Sequence, residues 1–311
     1  MAPKLSVIIP FYNVEDYIES MLGDIRHQTF DNFECILVDN ASTDSTRRIC
    51  EKFIKDDSRF TIVTEMSLGI STARNTGMAI AKGDYIYFCD ADDRLHPQSF
   101  EIMLNTIGDA DVLYFNMQQF YKDNELCFIK FSGPLPTREI KAPLDWFILT
   151  QKPTPLCAVW SKLFKKSSLK GLRFQQDVKY AEDRYFWYEL LHNNPNLKLN
   201  LLDHKIYFYR TRPGSITQSR YNSDRIQQFD LFLRKQTNLF SDMPHRLSQI
   251  RKHLFTVLIR ELLRGTQNES IELQAESAHI IKNFFRDGIV RYTDFSFKWM
   301  LRLFRFTRQT I

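Results

Sequence analysis

Along the first third of the chain, short unbroken apolar runs alternate with stretches whose apolar residues recur at helical spacing. That alternation predicts a mostly parallel sheet with helices on both faces. Leu5 to Ile9 is the first predicted strand, and Asn13 then caps a helix with Val14, Tyr17, Ile18, Met21, Leu22 and Ile25 on one stripe. Phe33 to Val38 is a second buried strand ending at Asp39, followed by the polar loop Asn40 to Asp44 and a helix opened by Ser45. Phe60 to Thr64 is a third strand, and Ser71 to Ala81 is a helix closed by Gly83. The next strand, Tyr85 to Cys89, runs directly into Asp90, Asp92 and Asp93.

Ligands of open α/β sheets bind beyond the carboxyl ends of the strands. Tyr12, Asp39 and Asp90 to Asp93 all occupy such ends, so three polar strand ends point at one crevice. From Val112 to Arg212 the pattern is mixed, with strand-like Val112 to Gln118, Leu126 to Phe131 and Leu197 to Tyr209, and one aromatic helix, Glu182 to Leu191. After Pro213-Gly214-Ser215, residues 222–306 show helical periodicity with almost no strand signal. The predicted organisation is an α/β body over 1–215, in halves 1–110 and 111–215, and a C-terminal α-helical region over 216–311.

Composition narrows the function classes. At 311 residues, 43% hydrophobic and 25% charged, the chain reads as a folded protein rather than a disordered one. The N-terminal apolar run is too short for a signal-peptide core and no stretch approaches a spanning helix, so a cytoplasmic protein is expected. Cys35, Cys50, Cys89, Cys127 and Cys157 form no Cys-x-x-Cys pair and are expected as buried thiols. A net charge of +5 argues against a dedicated nucleic-acid binder and allows phosphate-bearing ligands or an anionic membrane.

Carboxylates repel one another, so Asp90, Asp92 and Asp93 at one strand end form either a solvated turn or a ligand set for a hard divalent cation, Mn2+ or Mg2+. Arg74 and Lys82 lie just upstream. No glycine-rich phosphate loop is present, so phosphates would be held by metal and arginine instead.

SVIIPFYNVEDYI, ILVDNASTDST and LGISTARNTGMAIAKGDYIYFCDADD, in that order and spacing, closely resemble glycosyltransferase family 2, inverting enzymes of the GT-A fold. The resemblance is tight over residues 4–110. It extends more loosely through Trp160-Ser161-Lys162-Leu163-Phe164, Ala181-Glu182-Asp183-Arg184-Tyr185-Phe186 and Tyr209 to Ile216. It implies that 1–110 binds a UDP-sugar donor and 111–215 shapes the acceptor side. Pro10, Tyr12 and Glu15 would wall the nucleotide pocket, Asp39 would accept a hydrogen bond from uracil, and Arg74 would approach the base or the diphosphate. Gly69 and Gly77 would permit close backbone approach; plain turn and packing roles are the alternative. Asp90 would orient the ribose or the sugar and share in the metal, Asp92 would bind the metal, and Asp93 stands beside them without an assigned role.

By the same resemblance Asp183 is the catalytic base and Glu182 its support or reserve; a charged helix N-terminus is the alternative for both. Ser161 departs from the family's frequent Trp-Asn-Lys. Trp160 is either an apolar platform for a sugar ring on the acceptor side or a core residue. Arg210 and Arg212 either close over the diphosphate with Pro213-Gly214-Ser215 or meet solvent.

At the C-terminus, Arg291, Lys298, Arg302 and Arg305 share one helical face, with Phe297, Met300, Leu301 and Phe304 on another. From Phe285 to Ile311 six cations against two aspartates give net +4, most of the chain's excess. Such a helix suits either an anionic membrane surface, with a lipid-linked saccharide as acceptor, or packing on its own body or on a second subunit. The expected function is metal-dependent transfer of one sugar from a UDP-sugar to a hydroxyl of a growing surface glycan. The rivals are a sugar-nucleotide nucleotidyltransferase, which should show a glycine-rich, lysine-bearing first loop, and a non-catalytic sugar-nucleotide-binding scaffold.

Overall fold

The computed structural model describes residues 2–128, 130–131, 135–150, 157–212, 222–243, 249 and 271–287. The chain divides into two compact units, one of Met1–Pro143 and Thr154–Pro213, the other of Leu144–Pro153 and Gly214–Ile311.

One nine-stranded sheet organises the first unit: β1 (Leu5–Phe11), β2 (Phe33–Asp39), β3 (Phe60–Thr64), β4 (Tyr85–Phe88), β5 (Arg94–Leu95), β6 (Val112–Phe120), β7 (Thr137–Ile140), β8 (Lys162–Lys165) and β9 (Leu199–Arg210). Their spatial order is β3-β2-β1-β4-β8-β6-β9-β5, with β7 also paired to β9. β1 runs parallel to β2 and β4, and β2 parallel to β3, so their carboxyl ends share one edge. β8 is antiparallel to both β4 and β6, which returns β6 and β9 to the direction of β4. All seven residues of β1 are buried, as befits a central strand that reads as a continuous apolar run rather than an alternation.

The helices of this unit are α1 (Ile18–Arg26), α2 (Thr46–Ile54), α3 (Ile70–Ile80), α4 (Ser99–Ile107), the start of α5 (Pro143–Thr150) and α6 (Glu182–Asn193). Ile18, Met21, Leu22 and Ile25 of α1 are fully buried, the stripe that the sequence spacing predicts. α3 lies close on the sheet because Gly77 has no side chain where Ile8 of β1 sits. Packing, not ligand approach, is therefore the work of Gly77. In the second unit, α7 (Ser223–Leu239) and α8 (Ile271–Arg286) touch each other. Ser223 bonds to Glu276 and Arg234 pairs with Asp287, an equal step along both helices, so the two run in the same direction.

Several expectations are corrected. Asn13 does not cap α1: it adopts φ 50°, and its Oδ1 accepts the N–H groups of Thr43 and Asp44, tying the turn after β1 to the loop after β2. The described residues of Leu126 to Phe131 are not a strand; Phe128 and Phe131 instead pack on His96, and Phe128 on Phe208. Cys127 is exposed, while the other four cysteines are buried thiols. The basic and aromatic positions from 291 to 305 lie outside the described residues. Among the described residues no helix is long and apolar enough to cross a membrane.

Candidate active site

The site gathers at the shared carboxyl edge of β1, β2 and β4, together with the end of β9 and the first turn of α6. At its centre stands Arg74, in the middle of α3 and only 3% exposed. Its Nη1 reaches Asp183 Oδ1 at 2.5 Å and Glu182 Oε1 at 3.1 Å, and its Nη2 reaches Asp90 Oδ1 at 3.4 Å. One guanidinium thus joins the carboxylate after β4 to the two that open α6. Three carboxylates around a buried cation fix its direction.

The environment moves these groups off their ordinary values. Burial, reinforced by the negative charge of Asp183 and opposed by Arg74, pushes the Glu182 carboxyl up to about 7. Burial also raises Asp90 to about 6, with Arg74 pulling the other way and Asp92 and Asp183 adding to the rise. The surrounding carboxylates hold the Arg74 guanidinium firmly protonated against its burial. Asp183 is fixed at both oxygens, because Val159 N–H donates to its Oδ2 at 3.1 Å.

The three aspartates after β4 have separate tasks. Asp93 is 1% exposed and accepts the Tyr207 hydroxyl and, at 2.7 Å, the Arg210 N–H, so it fastens the turn after β4 to the end of β9. Burial raises its pKa well above the usual carboxylate range, with Asp92 and Asp90 adding to the effect. Asp92 and Asp90 remain partly open, at 21% and 27% side-chain exposure. Asp92 Oδ2 accepts Arg212 Nε at 2.6 Å. Two hard oxygen-bearing side chains on one turn fit a divalent cation and leave positions for phosphate oxygens. Among the described residues no group of three or more His, Cys, Asp or Glu side chains is placed to hold a metal ion by itself.

Around this centre, Tyr12 offers an aromatic face that is 49% exposed. Pro10 is buried within β1, and exposed Glu15 accepts Ser45 N–H at 2.9 Å. Asp39 is 3% exposed; its Oδ1 accepts Ser42 N–H at 2.9 Å and its Oδ2 accepts Arg47 at 3.1 Å. It therefore shapes its own loop, while its carboxylate has lone pairs beyond those two bonds. Gly69, at φ 140°, opens α3 and donates its N–H to Asn40 Oδ1 at 2.8 Å. Lys82 stands at the other, amino end of β4, away from the aspartates.

Two residues left open by the sequence are buried. Trp160 is buried, stacked on Tyr207 at 4.6 Å and on Tyr209 at 5.5 Å, which makes it a core residue behind the site rather than a sugar platform. Arg210 is not a loose lid residue: its Nε donates to the Asp92 carbonyl at 2.6 Å and its guanidinium meets Asp123 at 2.8 Å over the rings of Tyr17 and Phe120. Sequence reading missed Tyr207, Asp123 and Lys162. The last is 1% exposed, and its burial was signalled only by its place between Trp160-Ser161 and Leu163-Phe164.

The family model described as Glycosyl transferase family 2 matches residues 6–170. Glycosyltransferase GlyA of Streptococcus pneumoniae is 30% identical over 69% of this chain and 32% of its own length. Poly(ribitol-phosphate) beta-N-acetylglucosaminyltransferase TarS of Staphylococcus aureus is 30% identical over 71% of this chain and 38% of its own. The chain thus spans about a third of the length of these two relatives. The crystal structure of TarS 1-349 with UDP-GlcNAc superposes with a TM-score of 0.69 at 24% identity, covering 90% of this chain and 80% of that one. The mannosyltransferase PcManGT from Pyrobaculum calidifontis, solved with GDP-Man and Mn2+, gives 0.57 at 16% identity, covering 100% and 86%. The mixed α/β architecture is accordingly that of GT-A proteins, and the chain belongs to glycosyl transferase family 2.

Proposed function

We propose that this protein is an inverting glycosyltransferase that moves one sugar from a UDP-sugar to a hydroxyl of a growing cell-surface glycan, with Mn2+ or Mg2+ assisting. The observation that carries this reading is the cluster around Arg74, which places Asp90 of the donor-side turn and Asp183 of α6 on one guanidinium. Inverting transfer needs such an arrangement: a site for a diphosphate leaving group on one side of the anomeric carbon and a proton acceptor on the other.

In this reading Tyr12 stacks on the uracil and Asp39 accepts its ring N–H, with Pro10 and Glu15 closing the pocket wall. Asp92, aided by Asp90, would hold the cation, and Arg212 would supply positive charge beside it. The cation, when bound, offsets the negative charge that builds on departing UDP. Asp183 takes the proton from the acceptor hydroxyl as its oxygen bonds to the anomeric carbon; the bond to UDP breaks, its electron pair leaves with UDP, and the configuration inverts. Arg74 keeps Asp183 oriented, and Glu182 supports it. TarS, by its name, acts on poly(ribitol-phosphate) and has been crystallised with UDP-GlcNAc, which supports a UDP-sugar and a bacterial surface polymer here. PcManGT with GDP-Man and Mn2+ supports the cation. The chain is placed in the cytoplasm, with its basic C-terminal stretch meeting the inner face of the membrane or a second copy.

UDP release from a panel of UDP-sugars, with Mn2+ and with chelator, tests the reading. Release with one donor, lost in chelator and in Asp183→Asn, is expected; absence of both UDP binding and release would reject it in favour of a non-catalytic role.

A further inference from the structure

Lys162 opens β8 directly after Trp160 and Ser161, and its whole side chain lies in the core at 1% exposure. Its Nζ donates to the Ala158 carbonyl at 2.6 Å and to Ser161 Oγ at 3.3 Å, and it stands 4.9 Å and 5.3 Å from the ring centres of Trp187 and Tyr114. The Ser161 hydroxyl donates to the same Ala158 carbonyl at 2.8 Å. That carbonyl belongs to the peptide unit whose N–H, on Val159, donates to Asp183 Oδ2. In a trans peptide the C=O and N–H point in opposite directions, so one flat group carries two donors behind and the carboxylate in front.

Burial opposes the charge of Lys162 and pushes its pKa down to about 7. Among the described residues no carboxylate stands within ion-pair distance of it. A methionine would fill the same space with no polar group to desolvate, so packing alone does not account for a lysine there. Donation from an ammonium and a hydroxyl to a carbonyl polarises the amide and strengthens its N–H as a donor, about 10–30% per bond in a chain.

We infer that Lys162, with Ser161, is a positioning residue for the transfer step: through the Ala158–Val159 peptide it fixes the second oxygen of Asp183, while Arg74 fixes the first. The inference rests on the reading of Asp183 as the base. It concerns the chemical step, because the Val159 N–H reaches Asp183, the group read as the base.

The test compares wild type, Lys162→Met, Asp183→Asn and the double variant in UDP release from UDP-GlcNAc, or from whichever UDP-sugar of the panel reacts, with Mn2+. The Val159 amide proton is followed by NMR on valine-labelled protein. Lys162→Met should keep its urea midpoint and its donor KM within about twofold, lower kcat by about 10–100-fold as expected for a slightly misplaced base, and shift the Val159 amide proton upfield. In the Asp183→Asn background it should cost nothing further. Wild-type kcat in Lys162→Met, or an equal loss with and without Asp183, would overturn the inference while leaving the base reading intact. Wild-type kcat in Asp183→Asn would instead overturn the base reading and the catalytic role of Lys162 with it. If Lys162→Met does not fold, Lys162→Leu, which also removes the donor to the Ala158 carbonyl, is judged by the same outcomes.

Discussion

Asp92 and Asp93 are neighbours in sequence with opposite situations: one carboxylate is partly open beside Arg212, the other is sealed under Tyr207 and the Arg210 N–H. Asp92→Asn should weaken Mn2+-supported UDP binding at least about tenfold, because a neutral amide is a poor ligand for a hard cation. Asp93→Asn should leave that binding within about threefold, since the amide carbonyl can still accept the Arg210 N–H while its NH2 donates to the Tyr207 hydroxyl oxygen. Calorimetric titration of UDP in Mn2+ checks both. Arg74→Met should cost about 3–5 kcal/mol of unfolding free energy in urea, because it leaves Asp90, Glu182 and Asp183 facing one another without their cation. At this scale the sequence placed the carboxylates together at one strand end, but gave no sign that Asp93 is sealed under Tyr207 and the Arg210 N–H. Arg74 and Asp183 are 109 positions apart, and no local pattern announces an ion pair across that distance. Trp160 was undecidable for the same reason, since its stacking partners come from β9.

Elements place those residues where they meet. Gly83 lets the chain turn into β4 against β1: a Cβ there would lie 2.6 Å from the Ser6 backbone nitrogen, while the Gly83 N–H bonds to Ser6 Oγ. Gly83→Ala should therefore lose about 1–3 kcal/mol of stability and lower the thermal midpoint, with little change in donor KM. β1, β2 and β4 were readable because interior strands appear as largely apolar runs, and β3, at the edge, from Phe60, Ile62 and Val63. β5, β7 and β8 were not, being only two to four residues long and held by antiparallel partners distant in sequence. Leu126 to Phe131 misled because its aromatic residues are covered by His96 and Phe208 with no strand ladder. α1 begins later than expected since Asn13 is spent on bridging two loops.

For the whole molecule, the charge cluster sets a pH dependence of folding. The Glu182 carboxyl stands near 7 in the folded chain and near 4.5 when unfolded. Below about 4.5 both forms are protonated; between 4.5 and 7 only the folded form holds the proton, so this group's contribution is lost as pH rises through that window. Glu182→Gln should gain stability relative to wild type between pH 5 and 8, on the order of 2–3 kcal/mol, read from urea midpoints at several pH values. The α/β layout that carries this cluster is that of glycosyl transferase family 2.

The central claim is that Asp183, held opposite the Asp90–Asp92 turn, is the base of a metal-assisted sugar transfer. Its most direct test is the rate of UDP release from the UDP-sugar that binds, in saturating Mn2+, for wild type and Asp183→Asn alongside calorimetric donor affinity for both. A fall of about 10²–10⁴-fold in rate with donor affinity unchanged is predicted; an undiminished rate in Asp183→Asn would contradict it.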